Sequence, residues 1–361
     1  MGDISFSCHR LTDLDGLAAD WRDLESRADG GFFLSWDWIG CWLACLDAEV
    51  TVFEGRKGEM IVCLGLFCAK NEGGLGGEAA YLHQTGESEA DRIAIEYNGL
   101  LLDPAVTAAR ALPALYAEAA NRWDAIFLRG LAQDFAESVA AGTWPARLRA
   151  KAPTVQVDLA ALRSNDGSYL EQRSANTRGQ IRRAIRQYEA RGDLRLEVAE
   201  NAAEALSFFD AMSDMHQRTW HDRDGEGAFS SAFSVAFHRR LIETCYPKGR
   251  VELLRLSAGE TVIAYLYNFI DGKTVRYYSS GFLYEADNRL KPGMVAHTLC
   301  IEHYLATGMD RYDFMAGEAR YKTSLGEVGP DILSYLVERP GARQSIKGAL
   351  RWVRDQVERK G

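Results

Sequence analysis

Between Lys273 and Lys322 the chain sets residue types for proton transfer and anion binding at short spacings. The run Arg289-Leu290-Lys291-Pro292-Gly293-Met294 places two cations, a stiff turn residue and a glycine at the start of an apolar helix. A helix start offers unpaired backbone N–H groups and the positive end of the helix dipole, so this one suits a pyrophosphate. Asp313, Glu318 and Tyr321 follow at the end of a short β-rich run, with His297 in the preceding helix. A carboxylate or histidine can take a proton from an attacking amine, and a tyrosine can give one to a departing thiolate. Tyr278-Ser279-Ser280-Gly281-Phe282 adds a strand end whose backbone N–H groups could face a developing oxyanion, with Gly281 tolerating a bulge or a close ligand. These are the types that acyl transfer from a thioester to an amine requires. Each also has an ordinary reading. Basic-Pro-Gly turns begin many helices, Asp313 can bridge structure, His297 can be a satisfied core histidine, and Tyr321 with Lys322 can close a turn.

The elements that must position these residues are legible around them. Strands are expected over 274–282 and 311–315, a loop over 287–294 and a helix over 295–307, preceded by a hairpin of 250–256 and 261–270. The first half reads as helices over 14–27 and 35–46, a hairpin of 50–54 and 60–69, a helix over 105–121 and a strand over 125–128. A strand over 155–159 links the halves, 332–338 supplies a late strand, and 342–359 reads as a charged amphipathic helix.

An internal repeat ties the halves together. Gly58-Glu59-Met60-Ile61-Val62 is echoed by Gly259-Glu260-Thr261-Val262-Ile263, and Tyr81 with Glu89-Ala90-Asp91 by Tyr277 with Glu285-Ala286-Asp287. A helix follows in each half, and then Asp124 to Gly130 faces Asp313 to Gly317. After Asp91 the first half lacks the Lys-Pro-Gly turn found after Asp287, so the second copy is the one expected to hold a phosphorylated cofactor.

At 361 residues, two domains are the expectation. A net charge of −9 disfavours a general nucleic-acid binder, which needs a net basic face. The seven cysteines lie mostly in apolar runs and none forms a CxxC pair, which suits reduced core thiols and no metal site. The first residues show neither a basic-then-apolar leader nor a myristoylation signal, and the apolar run 61–69 is too short for a membrane helix. A cytoplasmic protein without a membrane span is therefore expected.

Gly249-Arg250-Val251-Glu252-Leu253-Leu254, the hairpin ending in Ala264-Tyr265, the Lys291-Pro292-Gly293 turn, and Tyr312-Asp313-Phe314 with Gly317-Glu318 and Tyr321-Lys322 resemble the CelD-like branch of the GNAT acyltransferase superfamily. That branch is related to the Fem peptidoglycan-bridge aminoacyltransferases. Asn176-Thr177-Arg178, Ile181-Arg182-Arg183, and His216 with Trp220 also match its pattern. The resemblance implies an α/β (α+β) fold of two tandem GNAT-like lobes, each a mixed, mostly antiparallel sheet flanked by helices. The lobes would be 1–160, without cofactor, and 161–340, with the acyl-CoA site, followed by the helix of 341–361. It implies an acyl-CoA-dependent N-acyltransferase, acetyl-CoA being one candidate donor, acting on the amine of a small molecule or saccharide.

On this reading Glu318, Asp313 and Tyr321 are the acid–base candidates. Ser279, Ser280, Gly281, Phe282, Arg289, Lys291, Pro292, Gly293 and Met294 would hold the cofactor, and His216, Trp220, Arg178 and Lys322 the acceptor. A homodimer is compatible with this reading. The alternatives are a Fem-like transferase using aminoacyl-tRNA, to which the Arg178 to Arg186 face would bind, and a non-catalytic module in polysaccharide or envelope assembly.

Overall fold

The structure is a computed structural model that describes residues 3–165, 167–221, 225–317, 320–341 and 344–346. Most of the helix expected over 342–359 lies outside the described residues, as does Glu318. The chain divides into two compact units, one of residues up to Lys151 and from Ile332 onward, the other Ala152–Asp331.

The first unit contains β1 (Ser5–Arg10), α1 (Leu14–Glu25), α2 (Trp36–Cys45), β2 (Val50–Lys57), β3 (Met60–Asn71), β4 (Glu78–Leu82), β5 (Leu101–Leu102), α3 (Ala108–Ala119), β6 (Ala125–Leu131), α4 (Gln133–Ala140) and the start of β7 (Ala146–Asp158). Strands β1 to β4 pair antiparallel in order, β5 adds to β3, and β6 lies parallel to β4. The second unit holds the rest of β7, then α5 (Leu159–Ser164), α6 (Ala175–Glu189), β8 (Leu194–Val198), α7 (Ala202–His221), α8 (Ala232–Cys245), β9 (Val251–Ala258), β10 (Thr261–Asp271), β11 (Thr274–Phe282), α9 (Pro292–Ala306), β12 (Arg311–Ala316), α10 (Arg320–Leu325) and the start of β13 (Glu327–Glu338). Here β8 to β11 pair antiparallel in order, β12 lies parallel to β11, and β7 pairs antiparallel with β12. Residues Leu333 to Glu338 of β13 return to the first unit and pair antiparallel with β6.

Each unit is thus a mixed, mostly antiparallel sheet with helices against it, and the two are copies of one plan. Strand β4 pairs with β6 over three residues, Ala79↔Ala125 to Tyr81↔Phe127, and β11 pairs with β12 over three, Thr274↔Arg311 to Arg276↔Asp313. The last paired residues, Tyr81 and Arg276, fall within one residue of the match expected from the repeat.

Each unit has its own apolar core. In the first, Phe53, Phe67, Leu82 and Ile126 meet Leu112 and Leu115 of α3. In the second, Leu254, Ile263 and Val275 meet Val295, Ile301 and Tyr304 of α9. Helix α9 begins at Pro292, three residues earlier than expected, because proline at the first helical position lacks only an N–H that would be unpaired there. No helix among the described residues is long and apolar enough to cross a membrane.

Candidate functional site

Strands β11 and β12 part immediately after Arg276 and Asp313. The Asp313 carboxylate, 1% exposed, accepts from Arg276 Nη1 at 3.0 Å and from the Met315 N–H at 2.8 Å. Arg276 also donates to Asp271 from Nε and Nη2. Met315 takes a left-handed φ of 58°, which turns β12 away from its neighbour. Beyond the fork β11 still pairs with β10 on one side, but its other edge has no β12 partner for residues 277–282. The alternate backbone N–H groups on that edge are the ones the chemistry asks for.

The fork is lined by aromatic and polar side chains from four elements. Tyr277 of β11, Phe314 of β12, His297 of α9 and Tyr321 of α10 meet there. The His297 ring lies 4.4 Å from Tyr277, 4.9 Å from Phe314 and, nearly parallel, 5.7 Å from Tyr321. Tyr277 shares hydrogen bonds with Ser280 Oγ at 2.6 Å and with the Tyr321 hydroxyl. Burial, followed by the neighbouring Tyr277, raises the Tyr321 hydroxyl far above its ordinary value, so it stays a neutral proton donor. His297 Nδ1 is 3.0 Å from the Tyr312 hydroxyl, and burial, aided by the Lys322 cation, lowers the ring to about 3. That histidine is neutral, with Nε2 buried and without a hydrogen-bond partner.

Lys322 is 9% exposed and donates to the Phe314 and Ala316 carbonyls at 2.9 and 2.8 Å, so it braces the diverging end of β12. Arg178 donates to the carbonyls of Glu171 and Arg173. Both were expected at an acceptor, and both hold backbone.

On the other face of β11, α7 packs closely. A Cβ at Gly281 would lie 2.6 Å from the Met212 carbonyl oxygen and 2.7 Å from Met215 Cβ, so the close approach of this helix requires a glycine there. The strand's irregularity falls at Tyr278, where the β10 register shifts between Tyr267 and Asn268. Ala228 N–H donates to His216 Nε2 at 3.3 Å, leaving Nδ1–H to donate to the Ser280 carbonyl at 3.0 Å. Burial lowers the His216 pKa, opposed by that bond to Ser280. One helical turn on, Trp220 is 39% exposed.

The start of α9 opens on a cleft of about 500 Å³. Gly179, Gln180 and Arg183 of α6 face Asn288, Arg289 and Lys291 across it. Lys291 caps α9 with φ 48°, a left-handed conformation costing about 1 kcal/mol in a non-glycine residue, and makes no side-chain cap bond. The first backbone N–H groups of α9 are therefore not capped by a side chain, as an anion site requires. Pro292 is buried, Met294 packs on the core, and Gly293 sits over the Phe282 ring at 3.3 Å from its Cβ position. Arg289 is clamped by Asp287, with Nε and Nη2 donating at 2.8 and 2.7 Å. In return the Asp287 carboxyl is lowered to about 2.

In the first unit the equivalent fork is filled by the chain itself. Asn98 forms a parallel bridge with Leu131, and its Nδ2 donates to the carbonyls of Leu82 and Arg129 at 3.2 and 3.0 Å, tying β4 to β6. Its Oδ1 lies 2.8 Å from Nδ1 of the buried His83. Gly130 is forced there: its φ is 68°, and a Cβ would lie 2.1 Å from the Ile95 carbonyl oxygen.

Of the residues singled out in the sequence, Tyr321, Asp313 and Lys322 come together with Ser280 around the fork, and Arg289 and Lys291 border the cleft. The α6 face and His297 complete these two places. Arg183 was legible as part of a basic helix, whereas Tyr277 and Tyr312 stood in the repeat and the family motif without a role assigned to their hydroxyls.

Residues 175–323 match a family model described as an acetyltransferase (GNAT) domain. Among solved structures the chain is similar to FemX, at 11% identity over 95% of this chain and 99% of that one, TM-score 0.60. It is also similar to L-PGS from Bacillus licheniformis, at 11% identity over 94% and 96%, TM-score 0.55. A tandem GNAT protein from the clavulanic acid biosynthesis pathway matches at 12% identity over 94% and 100%, TM-score 0.50. These likenesses are of fold. No curated protein matches the chain.

Proposed function

We propose that this chain, a GNAT-superfamily acyltransferase through the domain of its second unit, moves an acyl group from an acyl-CoA to the amine of a small molecule or saccharide. The observation that carries the reading is the parting of β11 and β12 beside the uncapped start of α9. The fork offers a β11 edge that β12 no longer joins, the helix start offers anion-binding N–H groups with Lys291, and the cleft has room for a nucleotide. Among the described residues this combination is found in the second unit, and the reading gives the first unit no donor site.

A bound acyl-CoA would supply an activated carbonyl next to a good leaving group. As the amine nitrogen bonds to that carbonyl carbon, the carbon–sulfur bond breaks. The edge of β11 stabilises charge on the carbonyl oxygen, and Tyr321 gives its proton to the sulfur. Tyr277 and Ser280, hydrogen-bonded in series, hold the Tyr321 hydroxyl in place. The amine proton is assigned to Glu318. Asp313, engaged by Arg276 and Met315, is assigned to holding the fork. His216 and Trp220 are assigned to the acceptor side, with the exposed indole offering a flat apolar surface to a sugar ring. The reading takes the chain to be cytoplasmic.

A ligand that binds only the native state must raise its melting temperature. Acetyl-CoA is expected to stabilise the wild-type chain and to lose that effect in the Arg289→Ala, Lys291→Ala double variant. No stabilisation by any acyl-CoA would overturn the reading. The exposed Arg182, Arg183 and Arg186 of α6 favour aminoacyl-tRNA as the second reading. Its mark is RNA affinity that falls steeply with salt.

A further inference from the structure

We infer that the α6 face of the second unit is the seat of a 3′-phosphorylated nucleoside, with Gly179 as its floor and Arg183 as the ligand of the 3′-phosphate. The inference rests on the acyl-CoA reading and deepens it, since coenzyme A ends in an adenosine that carries such a phosphate.

Charge gives the first argument. Many arginines of the second unit are already matched, among them Arg289 by Asp287, Arg191 by Glu285 and Arg173 by Glu327. Among the described residues Arg183 and Lys291 join no carboxylate, and they stand on opposite walls of the cleft. Lys291, at the start of α9, is already assigned to the pyrophosphate. Arg183, on the far wall, is placed for a second and separate anion, and its planar fork suits a phosphate monoester.

The second argument is Gly179. A glycine inside a helix costs about 1 kcal/mol relative to alanine. In most close-packed places a neighbouring atom explains it, as Met212 explains Gly281. At Gly179 nothing among the described residues lies within 4 Å of the Cβ position, so none of their contacts requires its small size. The open space is the cleft itself, and the missing side chain leaves a bare patch of helix on which a flat base can rest. Asn176 and Gln180, four apart on α6, flank that patch with amide donors and acceptors suited to a base edge. A cleft of about 500 Å³ accommodates a nucleoside with its phosphates.

The test compares coenzyme A with 3′-dephospho-coenzyme A by calorimetry on the full chain. Wild type is expected to bind coenzyme A about tenfold more tightly, the worth of one charge-assisted phosphate contact. Arg183→Ala should erase the preference while leaving the affinity for the dephospho form unchanged. Gly179→Leu should weaken both ligands about tenfold or more without lowering the melting temperature, because leucine favours the helix while filling the patch. Equal binding of the two ligands by wild type, or equal weakening of both by Arg183→Ala, would overturn the inference and leave the acyl-CoA reading standing. Binding of neither ligand by wild type would sink that reading, and the inference with it.

Discussion

Arg276 and Asp313 are the last partners of the parallel pair β11–β12, and a 3.0 Å ion pair joins their side chains at the point where the strands divide. The pair is a clasp at the apex of the fork, with both members largely buried. Asp313→Asn removes this ion pair but leaves Arg276 its two bonds to Asp271, so the variant is expected to lower stability by about 1–3 kcal/mol, read from urea unfolding. The folded fraction should keep a kcat near that of wild type. Wild-type stability with a collapsed kcat would instead make Asp313 the base.

Burial holds Tyr321 protonated throughout the ordinary pH range, so its hydroxyl carries a proton that a departing thiolate could take. Tyr321→Phe keeps the ring over His297 and removes only the hydroxyl. The expected result is a fall in kcat of about 100-fold with little change in the KM for acyl-CoA. An unchanged kcat would assign the sulfur's proton to another group.

Three buried histidines set the acid stability. Burial lowers His83 to about 4, and His238 and His297 to about 3. The unfolded chain takes up their protons near 6.5, whereas the folded chain resists until pH 4 to 3. The stability these rings contribute is thus complete above about 6.5 and is lost as pH falls through that window toward 3. A melting-temperature series from pH 7 to 4 should slope downward, and His297→Gln should make the slope shallower. A slope identical to wild type would contradict the buried, neutral assignment.

Asn98 closes the fork of the first unit by satisfying two strand carbonyls. Asn98→Leu should cost about 1–3 kcal/mol, since those carbonyls would be left buried without a donor. Acyl-CoA affinity, measured on the folded variant, should not change. Altered affinity would show that the first unit shares in donor binding.

How far the sequence revealed this arrangement varies by element. Strand β11 was read at its observed bounds because alternating aromatic and β-branched residues lie between glycine-containing turns. Strand β4, Glu-Ala-Ala-Tyr-Leu, escaped because alanine carries little strand preference. The first part of β7 escaped because Arg147 to Lys151 are exposed and show no apolar alternation. The duplication was visible because both copies keep the same order of turns. The plug at Asn98 was not, since it depends on a bond across 31 residues to Arg129. The backbone bonds of Lys322 and Arg178 were not legible either, since a cation bound to backbone carbonyls has the same sequence signature as one facing a substrate.

The central claim is that one of two similar lobes carries the donor site. Calorimetric titration of acetyl-CoA into the wild-type chain and Lys291→Ala tests it most directly. The account predicts one molecule bound per chain and an affinity about tenfold weaker in the variant. Two molecules per chain, or a Lys291→Ala affinity equal to wild type, would contradict it.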